Sequence, residues 1–299
     1  MPEFVFLNGR IVPADQALVS VFDAGFTHAA GLFETLRAYD GKVMRLDDHL
    51  DRLIHSAAQL GLQMPASMEA GLPSSKGDLR RAAYEVLQAN RLRDARLRLT
   101  ITPGSVPRPG QSMEHPAPPS VLITAGPVQP YPAELYRHGM RVAICPYKQN
   151  RFDPLAGHKT LAYLPRLLAM KEAAARKCNE ALWFTTDNHL AEGSICNVFI
   201  VRDGALSTPP LDTPVLPGVV RKAVIELSRE NDIALTEEPI LIETLLTASE
   251  VFLTGSVLEI MPVTFIERHQ VGEGVPGPTT VRLADLYRHL VAKECAPDA

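Results

Sequence analysis

Four cysteines, one tryptophan and an aromatic share of 6% are small numbers for 299 residues, and neither sign of charge prevails. Cys145, Cys178, Cys196 and Cys295 lie far apart, with neither CxxC nor Cys/His metal spacing. That pattern excludes a disulfide framework and a motif-defined metal centre, and it reads as unpaired thiols in a reducing compartment. Thirty Lys plus Arg against 34 Asp plus Glu give a formal charge of −4 and a pI of about 6.1. A bulk basic field for nucleic acid is therefore missing, which leaves only a local patch open. No apolar run reaches the ~18–20 residues that cross a bilayer. The opening MPEFVFLNGRIVPAD carries acids early and lacks the basic-then-apolar order of a signal peptide, so a cytoplasmic chain without a membrane partner is expected. What is present is ordinary: 46% hydrophobic residues, enough length for about two domains, and a core that hides roughly three quarters of the unfolded surface.

Local patterns place the elements. Asn8-Gly9 between FVFL and RIV is a type I′ hairpin signal, and Asp40-Gly41 and Asp203-Gly204 repeat it. Alternation over Leu32–Tyr39 sets Phe33, Thr35, Arg37 and Tyr39 on one face and Glu34, Leu36 and Ala38 on the other. Leu50, Leu53, Ala57 and Leu60 recur at helical spacing, and a second helix fits Gly77–Ala89. Arg96–Thr102 alternates again, with arginines and threonines opposite aliphatics, before a Pro/Gly-rich loop over 103–119. A strand at Val121–Thr124 precedes AGPVQPYP, from which we expect a linker at 126–132, a small domain at 1–125 and a large one at 133–299. In the second half, a helix begins near Tyr163, strands fit Ala181–Thr186, Ile195–Val201 and Val251–Leu253, and helices fit Val219–Glu230 and Thr280–Lys293. Strands cluster by hairpins rather than alternating with helices, which favours an α+β fold.

One motif is set aside. Gly272-Glu273-Gly274-Val275-Pro276-Gly277 matches GxGxxG, yet Pro276 and Pro278 remove amides that a pyrophosphate needs, so it reads as a loop before the last helix. A different set is more informative. Lys159 stands in AGHKTLAYLPRLL just before a helix, and Glu192 enters a strand 33 positions later. Leu216-Pro217-Gly218-Val219-Val220-Arg221 opens a helix, and Leu253-Thr254-Gly255-Ser256 ends a strand in small residues. A lysine for a Schiff base, an acid for a pyridine nitrogen, and helix-start amides for a phosphate are what pyridoxal 5′-phosphate requires.

The joint order carries a resemblance. Glu192, Ser194, Asn197, Val198 and Phe199, then Leu206 and Thr208, then Leu216, Gly218, Val219 and Arg221 resemble the signature of the class IV pyridoxal-phosphate aminotransferases. That family holds branched-chain aminotransferases, D-amino-acid aminotransferases and 4-amino-4-deoxychorismate lyases, and the likeness runs from Leu7–Arg10 to Val271–Thr280. It implies the two-domain fold type IV, with a small N-terminal α/β domain and a larger, mixed β-barrel-like C-terminal domain. The cofactor would lie between the domains in a homodimer, and no metal is implied. Lys159 would form the Schiff base and shuttle the α-proton, Glu192 would pair with the pyridinium nitrogen, and Arg52 in HLDRL would bind the phosphate. Val219, Val220 and Ser256 would complete the phosphate cup, Asn197 and Gly218 belong to the matched signature, and Tyr163 would reach the phenolic oxygen. For Arg52 a pair with Asp48 is the structural alternative.

The resemblance thins at the substrate side. Gly255–Val263 looks like the branched-chain Gly-Thr-Ala-Ala-Glu-Ile-x-Pro-Val turn and puts Val257 at the substrate, which favours transamination between a small-molecule amino donor and a keto acid. Thr35 in FETLR matches a threonine of the lyases, whose reaction releases pyruvate and 4-aminobenzoate. Thr27-His28-Ala29-Ala30-Gly31 replaces the aromatic-Gly-Asp-Gly of most relatives. Arg96-Leu97-Arg98 stands where the branched-chain enzymes have Tyr-x-Arg, and Arg108 where the D-amino-acid enzymes have a carboxylate-binding arginine. Arg37, on the Thr35 face, is a further carboxylate candidate. Neither His28 nor His158 is given a role.

Overall fold

At the first hairpin, Asn8 and Gly9 have φ of 48° and 89°, the geometry that lets β1 (Phe4–Leu7) pair back on β2 (Arg10–Pro13) without splaying. This computed structural model describes residues 3–62, 75–105 and 119–296. Its residues group into two compact units. One holds Met1–Gln129, His158–Ala162 and Lys293–Ala299, and the other Pro130–Gly157 and Tyr163–Ala292.

In the first unit the hairpin is followed by α1 (Ala24–His28), β3 (Leu32–Tyr39), β4 (Lys42–Val43), α2 (Leu46–Gln59), α3 (Lys76–Ala89), β5 (Ala95–Thr102) and β6 (Ser120–Pro127). The strands form one antiparallel sheet in the order β2-β1-β6-β5-β3-β4. Helix α3 starts on a capping box in which Ser75 and Asp78 satisfy each other's backbone amides. Leu50, Leu53 and Ala57 of α2 and Leu79, Ala83 and Val86 of α3 pack with Leu36, Leu97, Leu99 and Ile123 of the sheet in one core. The apolar face of β3 and β5 therefore meets the helices, and Thr35, Arg37, Arg96 and Arg98 point to the other face, as their alternation indicated.

The second unit contains α4 (Ala133–His138), β7 (Met140–Gln149), α5 (Leu164–Ala175), β8 (Glu180–Thr185), β9 (Leu190–Gly193), β10 (Asn197–Arg202), β11 (Ala205–Thr208), α6 (Val219–Glu230) and β12 (Leu235–Glu237). It continues through α7 (Ile242–Leu246), β13 (Glu250–Gly255), β14 (Glu259–Ile266), β15 (His269–Gln270) and α8 (Pro278–Glu294), whose last two residues count with the first unit. Its strands make a curled, mixed half-barrel in the order β12-β11-β10-β13-β14-β7-β8-β9, with β15 on β14. Successive residues of β7 and β8 divide between two cores. Val142, Leu182 and Phe184 enter one with Val198, Leu253 and Met261, while Ala143, Ala181 and Trp183 enter the other with Ala169 and Ala173 of α5. Every residue of β8 is buried, so its sequence EALWFT reads as a near-continuous rather than an alternating hydrophobic run.

Two boundaries differ from the expected division at 126–132. Strand β6 runs on through Pro127, because Ala95, Arg96 and Leu97 supply partners for Pro127, Gly126 and Ala125. The stretch His158–Ala162, expected inside 133–299, belongs to the first unit, because Thr160 bridges to Leu32 at the start of β3. The residue on which the chemistry was expected to turn, Lys159, thus lies in the smaller unit. The loop over Gly272–Gly277 precedes α8, consistent with setting the GxGxxG match aside.

Candidate active site

In the first unit, Lys159 is held by its own backbone. Its carbonyl accepts the Phe33 amide at 2.9 Å, and the Leu161 amide donates to the Gly31 carbonyl at 2.9 Å. Gly31 is needed for that approach, since a Cβ there would lie 2.5 Å from the Ile101 carbonyl oxygen. Lys159 Nζ lies 4.6 Å from the centre of the Phe33 ring. Arg98, one strand over, stacks its guanidinium on the same ring at 3.8 Å, and Thr35 sits directly across from Arg98 in the β3–β5 register. The structure therefore brings Lys159, Phe33, Thr35 and Arg98 to one patch of sheet.

Arg37 and Arg96 form the next cross-strand pair along. Arg37 lies over the Tyr39 ring at 4.3 Å, donates to the Ala38 carbonyl, and stands 3.6 Å from Asp94; Arg96 is exposed. Arg108 lies outside the described residues. His28 is exposed at the end of α1 with its Nδ1 2.7 Å from the Thr27 hydroxyl. His158 Nδ1 lies 2.9 Å from the Ser56 hydroxyl of α2, and burial lowers its pKa.

Beneath β3, on the helix side, sits a charged group that the sequence reading passed over. Glu34 is 1% exposed. It accepts from Arg52 Nε at 2.8 Å and Arg52 Nη2 at 2.5 Å, and from His49 Nδ1 at 2.8 Å. Spacing of three on α2 puts His49 and Arg52 on the same helix face. Burial alone would raise the Glu34 pKa, but the Arg52 charge and the His49 bond outweigh it and hold it at about 2. Burial pushes the His49 pKa down, with the charges of Arg52 and Lys159 adding to it against Glu34. His49 is therefore a neutral imidazole at neutral pH, with its Nδ1–H donating to the carboxylate.

The second unit assembles the other residues. Glu192, on β9, is buried and accepts from Arg166 Nη2 at 2.6 Å on one oxygen and from the Leu216 amide at 3.0 Å on the other. Tyr163 caps the start of α5 and donates its hydroxyl to the Ser194 carbonyl at 3.2 Å. Burial pushes its pKa up to about 12, Glu192 and Glu180 adding and Arg166 opposing, so it stays a neutral phenol. Asn197 donates through Nδ2 to the Leu216 carbonyl at 2.8 Å. Gly218 leads into α6, whose first turn has no side-chain cap, and a Cβ on Gly218 would fall 1.9 Å from Asn197 Oδ1. Thr254 pairs with Asn197 across β10 and β13, and its buried hydroxyl has no hydrogen-bond partner among the described residues. Ser256 and Val257 are half-buried in the turn that follows β13.

These features fit pyridoxal phosphate. The start of α6, whose amides have no side-chain cap, together with the unpartnered Thr254 hydroxyl on the strand next to Asn197, suits a phosphate. A buried, ionisable carboxylate and a phenol held neutral suit a pyridine nitrogen and a phenolic oxygen. Among the described residues there is no cluster of His, Cys, Asp or Glu that could hold a metal ion, and no helix is long and apolar enough to cross a membrane. Arg166, Glu34 and His49 are the residues that sequence reasoning missed. For Arg166 a signal existed: a cation in the first turn of a helix opposes the helix dipole and calls for a partner elsewhere.

Comparison with known proteins agrees with this chemistry. The family model for amino-transferase class IV matches residues 31–266. A Methanocaldococcus jannaschii protein provisionally named branched-chain-amino-acid aminotransferase is 34% identical over 289 residues, 97% of this chain and 96% of that one. The D-alanine aminotransferase of Bacillus licheniformis is 29% identical over 98% of each chain. The aminodeoxychorismate lyase of Bacillus subtilis is 32% identical over 95% of this chain and 93% of its own. In structure, the Escherichia coli branched-chain amino acid aminotransferase matches with a TM-score of 0.88 at 30% identity, covering 97% of this chain and 95% of that one. The chain belongs to the class IV aminotransferases, a family of enzymes whose cofactor is pyridoxal 5′-phosphate.

Two predictions follow from the geometry. Glu34→Gln leaves Arg52 buried without its counter-charge, a loss of about 3–5 kcal/mol at neutral pH. Because the folded pKa lies below the usual carboxylate value, the Glu34 contribution is complete above about pH 4.5 and fades as pH falls toward about 2. Urea titrations of the two proteins across that range should show their stabilities converging at the acid end. Gly218→Ala should force Asn197 off the Leu216 carbonyl and weaken cofactor affinity at least about tenfold, the equivalent of one lost hydrogen bond, read by titrating the apoprotein with pyridoxal phosphate.

Proposed function

We propose that the chain is an amino-acid transaminase that moves an amino group from a branched-chain-type L-amino acid or a D-amino acid to a 2-keto acid in two ping-pong half-reactions. The observation that carries this reading is that Arg98 and Lys159 lie over the same Phe33 ring. An α-amino acid has its carboxylate one carbon from its nitrogen, so a guanidinium beside the reactive lysine can grip the one while the lysine works on the other.

When bound, pyridoxal phosphate supplies an aldehyde that takes up an amine and a ring that accepts the electron pair released at Cα. Lys159 Nζ would hold the group through that aldehyde and, as a neutral amine, would take the Cα proton and return it. Glu192 would hold a proton at the ring nitrogen, and the neutral Tyr163 hydroxyl is assigned to the side of the phenolic oxygen. Arg52, aimed by Glu34, is assigned to the phosphate with the Val219 and Val220 amides, Ser256 and the Thr254 hydroxyl; Asn197 and Gly218 shape that cup. Thr35, Arg37, Arg96, Arg98, Arg108 and Val257 are assigned to the substrate, with Arg98 the principal carboxylate ligand. A second copy of the chain is the partner, a reading supported by the exposed Leu18, Val21, Phe22 and Phe26 near the start of the first unit. Sedimentation at micromolar concentration should give a dimer, and a monomer would remove that assignment.

A second reading, a 4-amino-4-deoxychorismate lyase, is favoured by Thr35, which stands opposite Arg98 on the Lys159 face. The two separate by the need for an acceptor. We expect turnover of L- or D-amino acids by the holoenzyme only with added 2-oxoglutarate or pyruvate. Release of 4-aminobenzoate from 4-amino-4-deoxychorismate without a keto acid would establish the lyase instead. Lys159→Ala should lower either activity by about 10²–10⁴-fold or more, the range of a lost acid–base group.

A further inference from the structure

Arg166 is poorly placed for a helix and well placed for Glu192. It stands in the first turn of α5, where the helix dipole opposes a cation, and four fifths of its side chain is buried. Its guanidinium is fixed at three points. Nη2 donates to Glu192 Oε1 at 2.6 Å, Nη1 donates to the Gly193 carbonyl at 2.8 Å, and Cζ lies 4.9 Å from the centre of the Trp183 ring. Glu192 Oε2 is taken by the Leu216 amide, so the backbone already fixes where the carboxylate sits. What the guanidinium adds is charge.

The other ionisable groups nearby do not supply it. Glu180 lies behind Ser194, whose amide donates to its Oε1 at 3.0 Å, and burial raises its pKa. Cys196 Sγ lies 3.6 Å from Glu180 Oε2, and burial with the Glu180 charge pushes its thiol well up. Tyr163 is held as a phenol. Burial works against the charge of Arg166 as well, but Glu192 outweighs it and raises the Arg166 pKa further. Arginine keeps its proton in any case.

We propose that Arg166 keeps the Glu192 carboxylate ionised and thereby places on the ring nitrogen of the cofactor the proton that the two groups would otherwise share. This rests on the reading that Glu192 meets that nitrogen. One proton between a buried carboxylate and a pyridine has two arrangements. On nitrogen it leaves an ion pair; on oxygen it leaves two neutral groups, which a dry environment prefers. A guanidinium bonded directly to the carboxylate reverses the preference, because it stabilises the negative oxygen more than it repels the more distant ring nitrogen. Arg166 touches neither substrate nor cofactor in this scheme. It is a positioning residue that acts through Glu192.

The test is the ¹⁵N spectrum of holoenzyme reconstituted with ring-¹⁵N pyridoxal phosphate, recorded for the natural protein, Arg166→Gln, Arg166→Lys and Glu192→Gln. The natural protein should show a protonated ring nitrogen. Arg166→Gln should move the resonance downfield toward neutral pyridine, and Arg166→Lys, which keeps a cation, should hold it near its original position. A purely structural arginine would not move this signal in a folded variant. If Arg166→Gln leaves the resonance in place while Glu192→Gln moves it, the role of Arg166 is overturned and that of Glu192 stands. If Glu192→Gln also leaves it in place, Glu192 is not at the nitrogen and both fall. Should Arg166→Gln fail to fold, a downfield shift in Arg166→Lys, with its charge intact, overturns the proposal.

Discussion

A carboxylate almost removed from water must be neutralised or paired, and Glu34 is paired twice. The consequence extends along β3. Glu34 is held from the helix side by Arg52 and His49, while the neighbouring Phe33 uses its amide to hold the Lys159 carbonyl and its ring to support Lys159 Nζ and Arg98. One strand thus connects a buried charge network on one face to Lys159 on the other. The pleat makes this possible, because adjacent residues point in opposite directions and a load on one fixes its neighbour.

The second unit solves a similar problem with different parts. Glu192, Glu180, Cys196 and Tyr163 are gathered in a region that burial makes hostile to charge. Glu180 and Cys196 are pushed toward their neutral forms and Tyr163 stays a phenol. Glu192 alone of these has a guanidinium on one oxygen and an amide on the other. Carboxylates in one neighbourhood are thus given different partners, which is how a fold can assign unlike roles to like groups.

Family membership sets the cofactor; it leaves both the donor and the choice between transamination and lyase chemistry open, since relatives of both kinds match nearly the whole chain. Geometry sorts the arginines that the sequence could only enumerate. Arg98 shares a ring with Lys159, Arg37 is drawn toward Tyr39 and Asp94, and Arg96 faces solvent. Their spacing on two alternating strands put all three on one face, and only the register between β3 and β5 decided which of them stands beside the lysine.

Local rules determined much of this protein. Turn dipeptides at Asn8-Gly9 and Asp40-Gly41, alternation over Leu32–Tyr39, and the helix at Val219–Glu230 are short-range consequences of backbone sterics and hydrophobic period, and they stand in the structure where the residues put them. The order of Lys159, Glu192, Asn197 and Gly218 along the chain was enough for the family, since it is a one-dimensional pattern. Tertiary structure decided the rest. That β6 continues through Pro127 depends on partners offered by β5, more than 25 residues earlier. That Lys159 belongs with the first unit depends on a bridge from Thr160 to Leu32. Glu34 with Arg52, and Glu192 with Arg166, are ion pairs between residues 18 and 26 positions apart. No periodicity connects such residues. Their meeting is set by how strands and helices pack, and burial then turns proximity into electrostatic control.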